Sequence, residues 1–476
     1  MRPTRLLPLA CLLVATLNAA AFGTTGLPYA DAEDAERQMI DRMLGSDHWP
    51  FRVFALLRLE RYRGEDVGGL VAGKLGDEAW AVRTFAVRTA ARLGHAPAPE
   101  AFASETDGRV VRAALRHGIR LPPNRITPGI RALLATPALD ELLLGVELAA
   151  LTDIEALRTN ARGRVTRLIR NMDDAVAIRV SRPLARGLGV TGPHPATRDE
   201  WHAWMRGRTP DTLLAPPPAP GVAPPAGNAV AELEPEAFSR LIGYLDALRQ
   251  RDLDLAIAMD STASMVPMIN ATRAGVESLI LFLDHISRTL RLGFVAYRDH
   301  DNPPVWEGHP FTSDVDSIRE FLFGIRITGG ADLPEAVLDG LTACGQLDWN
   351  RDATREIILV GDARPHEDDE YKLTGLLESY ASAGVTVHAV HVPQQPNPDY
   401  LARLDRPRAV RYRQEIAEHN LRTEEAFAAI ARLGGGERVQ LTDATELVPA
   451  IMHLTIEETW WSVFDAFYAM YLDLCR

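Results

Sequence analysis

The second half of the chain alternates short apolar runs with segments of helical periodicity. Apolar runs of strand length occupy residues 253–259, 292–297, 356–360 and 385–390. Nearly every position in them is apolar, which is typical of strands buried on both faces of a parallel sheet. Helix-like sequence separates the runs. The pattern therefore predicts an α/β doubly wound, Rossmann-like domain whose ligands bind beyond the carboxyl ends of the strands.

The first half has a different periodicity and repeats itself. Residues 49–55 (WPFRVFA) are echoed by residues 80–86 (WAVRTFA), a weaker copy stands at 109–115, and residues 173–179 echo 77–83. Most copies have helical apolar spacing and begin with an acidic residue, which suits the positive end of the helix dipole. The pattern predicts an all-α region of helical repeats over residues 31–208.

This unit resembles short HEAT repeats of the kind found in bilin-lyase-like proteins. Its period of about 30 residues is shorter than the roughly 40–47 residues usual for HEAT and armadillo units. A HEAT-like solenoid would offer a long surface for binding protein, and a plain helical domain that only bears load is the alternative.

A Pro/Ala-rich segment over residues 209–230 separates these regions. Proline at this density blocks both helix and sheet, so the segment is predicted to be an extended linker. Residues 231–476 then form the second domain, including a C-terminal helix rich in aromatic residues. Packing of that helix against the sheet or the repeats is favoured over attachment to a membrane surface.

The N-terminus reads as an export signal over residues 1–21. Arg2 and Arg5 precede an apolar run and a stretch of small residues. Periplasmic or secreted export is therefore predicted, with lipoprotein anchoring through Cys11 a weaker alternative. No later segment has 18 uninterrupted apolar residues, so no integral membrane span is expected. Whether Cys344 and Cys475 pair is open.

The overall charge bears on the partners. The formal net charge is −13, and all basic residues except Lys74 and Lys372 are arginines or histidines. A nucleic-acid-binding surface needs a basic face, so nucleic acid is not an expected partner. The arginine excess is interpreted as a bias in the coding sequence.

Two segments at the ends of predicted strands carry the candidate chemistry. The first strand ends in Asp260-x-Thr262-x-Ser264, and the strand over 356–360 is followed by Asp362. Because the carboxyl ends of parallel strands meet at one sheet edge, these side chains are expected to lie together. Their carboxylate and hydroxyl oxygens suit the hard cations Mg²⁺ or Mn²⁺, with Ca²⁺ possible.

Here the sequence resembles the von Willebrand factor type A (vWA) family and its metal-ion-dependent adhesion site, Asp-x-Ser-x-Ser with a distal Thr and a distal Asp. Asp260, Thr262 and Ser264 match the first element, with Thr in place of the first Ser, and Asp362 matches the last. The distal Thr should follow a Gly-Gly pair, but residues 329–331 read Gly-Gly-Ala and Asp332 comes next. Asp332 is therefore expected to replace the Thr as a ligand.

Three separated motifs point to one subgroup. Residues 260–265 (DSTASM), 297–299 (YRD) and 329–335 (GGADLPE) are similar to the type A domains attached to some alpha-kinases. Kinase activity is not implied, because only a helical tail follows. The resemblance implies a non-enzymatic binding or adhesion protein whose metal takes an acidic side chain from a protein partner. The alternatives are a scaffold with a vestigial metal site and a metal-assisted hydrolase using His300 or Asp299 as a general base.

Overall fold

The computed structural model describes residues 26–190, 194–195, 197–209, 212–214, 227–329, 334–441, 443 and 446–475. The predicted signal peptide, most of the Pro-rich segment and Asp332 lie outside these residues. The described chain forms two compact units. The first contains residues 26–130 and 227–233, and the second contains the described residues of 131–214 and those from 234 onward. This division does not test the predicted domain and linker boundaries, which stay predictions.

The first unit is built from short helices and one small strand pair. Its elements are α1 (Asp34–Leu44), α2 (Trp49–Leu59), α3 (Glu65–Gly73), α4 (Trp80–Arg92), α5 (Gly108–Arg116), the start of α6 (Pro123–Ala135), α11 (Ala229–Glu232), and the parallel two-residue strands β1 (Leu27–Pro28) and β2 (Tyr62–Arg63).

The sequence repeat of this unit is also a repeat of contacts. Arg52 of α2 and Arg83 of α4 hold the same place in the two best copies. Each donates a hydrogen bond to the backbone carbonyl six residues earlier, at 2.6 Å and 2.8 Å. Each also pairs with a carboxylate from a following segment, Asp77 at 2.9 Å and Glu105 at 2.7 Å. The helices of this region are therefore confirmed. Their assignment as HEAT repeats is not.

The second unit contains further helices and a six-stranded sheet. Its helices are the end of α6, α7 (Leu139–Ala150), α8 (Glu155–Asn171), α9 (Asp174–Leu188), α10 (Arg198–Met205), α12 (Pro235–Arg249), α13 (Val266–Ile286), α14 (Val315–Gly324), α15 (Val337–Gly345), α16 (Glu370–Ser382), α17 (Pro398–Leu401), α18 (Arg406–Leu433), α19 (Leu447–Thr455) and α20 (Trp461–Cys475). Its strands are β3 (Asp252–Asp260), β4 (Thr289–Tyr297), β5 (Trp306–Thr312), β6 (Thr354–Gly361), β7 (Val385–His391) and β8 (Gly435–Gln440).

The strand order places the predicted site at one sheet edge. The order is β5-β4-β3-β6-β7-β8, with β5 antiparallel to β4 and the other neighbours parallel. Asp260 lies opposite Tyr297, and Gly361 lies opposite His391. The carboxyl ends of β3, β4, β6 and β7 are therefore level. The predicted α/β doubly wound fold is confirmed.

Helices cover both faces of this sheet. Helices α15, α16 and α18 bury one face, where Ala256, Val295 and Leu359 belong to a continuous apolar core with Phe427 of α18. Helix α13 covers part of the other face. Burial on both sides explains why the central strands are apolar at nearly every position.

Helix α13 is both long and apolar. Residues 263–286 have the length and hydropathy that a membrane span needs, by composition alone. Phe282 of α13 contacts Phe464, Phe467 and Tyr468 of α20 at ring-centroid distances of 6.0, 5.8 and 5.3 Å. Much of its apolar surface is therefore buried within the unit, and the aromatic tail packs on it.

Candidate metal centre

The first part of the site is the turn that follows β3. The Oδ1 atom of Asp260 accepts hydrogen bonds from the backbone N–H of Thr262 (2.8 Å) and from its hydroxyl (2.7 Å). The Thr262 hydroxyl lies 3.2 Å from that of Ser264. Asp260 and Thr262 are fully buried, whereas Ser264 is exposed. The turn thus presents one carboxylate and two hydroxyls in a row from the core to the surface.

Asp362, which follows β6, joins this turn. Its carboxyl hydrogen-bonds the side chains of Ser264 and Gln394 and lies beside that of Asp260. His419 of α18 approaches from another side, with Nε2 at 2.7 Å from the Asp362 carbonyl oxygen. The structure therefore brings together four of the five predicted ligands.

The electrostatics of the pair are unfavourable without a cation. Burial, and then the charge of Asp362, raises the pKa of Asp260 to about 8. Burial also raises the pKa of Asp362. The Oδ2 atom of Asp260 is buried and has no hydrogen-bond partner among the described residues. An unpartnered carboxylate oxygen beside a second carboxylate and two hydroxyls fits a hard divalent cation, which would offset the cost of both buried charges.

The fifth predicted ligand, Asp332, lies outside the described residues. The segment that leads to it is described as far as Gly329, whose positive φ of 87° suits glycine. The Gly329 carbonyl accepts a hydrogen bond of 3.5 Å from the N–H of Ala263, within the turn after β3. This segment therefore contacts the site turn. Replacement of the distal Thr by Asp332 stays a prediction.

A second group of metal-ligating side chains lies at the same sheet edge. His366, in the loop after β6, has Nε2 at 2.7 Å from Oδ1 of Asp299, which follows β4. The His366 and His300 rings stack at a centroid distance of 5.0 Å, and His300 Nε2 lies 2.9 Å from Oδ2 of Asp339 in α15. One ligand atom from each of Asp299, His300 and His366 lies within 4.8 Å of the others.

The charges around His300 are acidic. Its hydrogen bond to Asp339, and then the charges of Asp339, Asp299 and Asp369, raise the pKa of the imidazole. The sequence pointed to Asp299 and His300 as groups near the metal, as candidate general bases, but not to His366. The only signal for His366 was its position shortly after the strand end that carries the predicted distal Asp.

Arg298, which precedes Asp299 and His300 in the sequence, pairs with a residue outside this group. Its guanidinium is buried and forms an ion pair with Glu307 of β5. It also donates hydrogen bonds to two backbone carbonyls, at 2.7 and 2.9 Å. The ion pair of Arg298 is therefore with β5, and the Asp299 carboxylate pairs with the imidazole of His366.

Comparison with known proteins gives partial matches. No protein-family model matches the chain. The chain is 31% identical over 128 residues to the alpha-protein kinase vwkA of Dictyostelium discoideum, covering 25% of this chain and 20% of that protein. It is 30% identical over 118 residues to a protein of Acanthamoeba polyphaga mimivirus described as ariadne-like RING finger, covering 25% and 12%. The matches thus span a fifth or less of these curated relatives.

Solved structures give weaker similarities. An aerotolerance-related membrane protein of Bacteroides fragilis is 19% identical with a TM-score of 0.29, covering 43% of this chain and 98% of that chain. The pilus adhesin SpaC of Lactobacillus rhamnosus GG is 10% identical with a TM-score of 0.30, covering 46% and 30%. TM-scores this low do not by themselves establish a shared fold.

The chain's own topology establishes the fold more directly. The sheet is mainly parallel and has helices on both faces. Its central strand β3 leads into Asp260-x-Thr262-x-Ser264, and Asp362 follows the neighbouring strand β6 at the same edge. This is the arrangement that the type A resemblance implies. The second unit therefore contains a domain with a vWA-like fold.

Proposed function

We propose that this protein binds a protein partner through a divalent cation, Mg²⁺ or Mn²⁺, held at the edge of the vWA-like sheet. The observation that carries the proposal is the Oδ2 atom of Asp260, which lies beside the carboxyl of Asp362, is buried, and accepts no hydrogen bond from a donor group among the described residues. Ser264 is exposed, so a ligand held there would be accessible from outside.

Each side chain then has a distinct role. Asp260, Thr262 and Ser264 hold the ion on one side, and Asp362 holds it on the other together with Asp332. The bound ion supplies a Lewis-acidic position that an acidic side chain of the partner completes. Gln394 and His419 are positioning residues, since they bond the side chain and the backbone carbonyl of one ligand residue, Asp362.

The role we propose is binding rather than catalysis. The helices of the first unit would act as a second interaction surface, because stacked helices present long faces to other proteins. The export signal over residues 1–21 would place both surfaces outside the cytoplasm. The activity of the alpha-kinase relative is not part of the proposal, because the chain matches only 20% of that protein.

Calorimetric titration of Mg²⁺ and Mn²⁺ tests the metal site. The protein should bind one ion, and Asp260→Asn should lose that binding. Asp352→Asn, at an exposed aspartate just before β6, removes the same charge and should bind normally. Because burial and Asp362 raise the pKa of Asp260, its ionisation opposes folding at neutral pH. Asp260→Asn should therefore melt at a higher temperature than the wild type in metal-free buffer, which separates lost binding from misfolding.

Binding of an acidic ligand tests the second step. A glutamate-rich peptide should bind the protein in Mg²⁺ and dissociate when a chelator is added, while its glutamine counterpart should not bind. Equal binding with and without chelator would contradict the proposal. If the protein bound the metal but no peptide in a metal-dependent way, partner binding through the ion would be contradicted, and the protein would be a scaffold that has a metal site.

A further inference from the structure

We infer that Asp299, His300 and His366 form a second metal site, selective for Zn²⁺ or a similar borderline divalent ion and distinct from the Asp260 site. The donor set differs from that of the Asp260 site. Two imidazoles and one carboxylate suit Zn²⁺ and its neighbours, whereas carboxylates and hydroxyls suit Mg²⁺.

The spacing of one donor pair, Asp299 and His366, requires only a small adjustment. With metal–ligand distances of about 2.0–2.2 Å and a tetrahedral angle, two ligand atoms lie about 3.4 Å apart. His366 Nε2 and Asp299 Oδ1 are 2.7 Å apart, held by a hydrogen bond. An ion would replace this bond and separate the two atoms by less than about 1 Å. The donor atom of His300 lies within 4.8 Å of both, and its ring, which is stacked on that of His366, would have to turn to ligate the same ion.

Asp339 provides an independent indication. An imidazole that ligates a metal through one nitrogen usually bonds a carboxylate through the other, which fixes the ring. His300 has this arrangement, because its Nε2 lies 2.9 Å from Oδ2 of Asp339. Nδ1 of His300 is then the nitrogen left to ligate. Asp339 belongs to α15, a different element from those carrying the three ligands.

The exposure of the three side chains indicates a metal site that is open to solvent on one side. The Asp299 side chain is 5% exposed, that of His366 is 27% exposed and that of His300 is 52% exposed. Three protein ligands leave a fourth tetrahedral position, and the exposure of the histidines directs it to solvent. The site would join the end of β4 to the loop after β6, and so fix the loop that also carries Asp362.

The test is titration of untagged protein with Zn²⁺ and with Co²⁺, whose visible absorption reports tetrahedral coordination. We expect one equivalent to bind with imidazole ligands, and excess Mg²⁺ not to displace it. Asp339→Asn should weaken binding about 10–100-fold without abolishing it, as expected for a residue that orients a ligand.

Two variants separate this site from the Asp260 site. Asp299→Asn combined with His366→Ala should lose the Co²⁺ spectrum, whereas Asp260→Asn should keep it. Both variants should give the far-ultraviolet circular dichroism of the wild type, which checks that neither has lost its fold. Loss of Co²⁺ in Asp260→Asn, retention in the double variant, or no binding to the wild type would each overturn the inference.

Discussion

Glu356 offers a sharp test of the electrostatics of the sheet. It lies in the central strand β6, is 7% exposed, and its Oε2 is buried without a hydrogen-bond partner among the described residues. Burial raises its pKa from 4.5 to about 7, with Arg251 opposing the shift. Between these values the unfolded chain releases a proton that the folded chain keeps. Stability therefore falls as the pH rises from about 4.5 to 7, and the penalty is constant above that.

The variant Glu356→Gln removes this penalty. The pKa difference between the folded and unfolded chain corresponds to a loss of stability of about 3 kcal/mol at pH 8 and of almost nothing at pH 4. Calorimetric melting as a function of pH should show the variant more stable than the wild type at pH 8, with the two curves converging in acid. Glu378→Gln, at an exposed glutamate of α16, should follow the wild type throughout. A Glu356→Gln variant that is equally stable at pH 8, or less stable, would refute the reasoning.

Two further perturbations follow from burial and packing. Burial lowers the pKa of His388 from 6.5 to about 4, so the unfolded chain takes up a proton before the folded chain does as the pH falls. Between pH 7 and 4 the wild type should therefore lose up to about 3 kcal/mol more stability than His388→Gln, as measured by urea unfolding. Equal losses in the two proteins would contradict this. A Cβ on Gly436 would lie 2.3 Å from the Val387 carbonyl oxygen, whereas one on Gly375 of α16 would meet no atom of the described residues within 4 Å. Gly436→Ala should therefore cost about 3 kcal/mol, and Gly375→Ala should gain about 0.5–1 kcal/mol, by thermal melting; similar effects at both positions would disprove the packing argument.

The sequence predicted those parts of the fold that burial dictates. The run at 253–259 became β3, Asp252–Asp260, because a strand covered on both faces is apolar at nearly every position. Strand β5 left no such signal. Its residues alternate between exposed and half-buried positions and include Gly308 and Pro310, so only the neighbouring strand β4 identifies it as part of the sheet.

The residues of the candidate site also fall into those that the sequence could predict and those that it could not. Asp260, Thr262 and Ser264 are close in sequence, so a motif can reveal them, and Asp362 follows from the rule that parallel strands end together. His366 could not be found by that route. Its position depends on the path of a loop, which is fixed by a hydrogen bond of 3.1 Å between the N–H of Glu335 and the carbonyl of Arg364.

The first unit is assembled from two segments that are distant in the sequence, residues 26–130 and 227–233. Arg58 of α2 is fully buried, and its Nη1 donates hydrogen bonds to the carbonyls of Val230 (3.1 Å) and Leu233 (2.5 Å), while Asn228 donates to the carbonyl of Leu57 at 2.8 Å. A fragment that stops before residue 227 would take these acceptors from a buried guanidinium and expose the surface beneath α11. A repeat region expressed alone would therefore need this short downstream segment, supplied in the same chain or as a peptide, to complete its core.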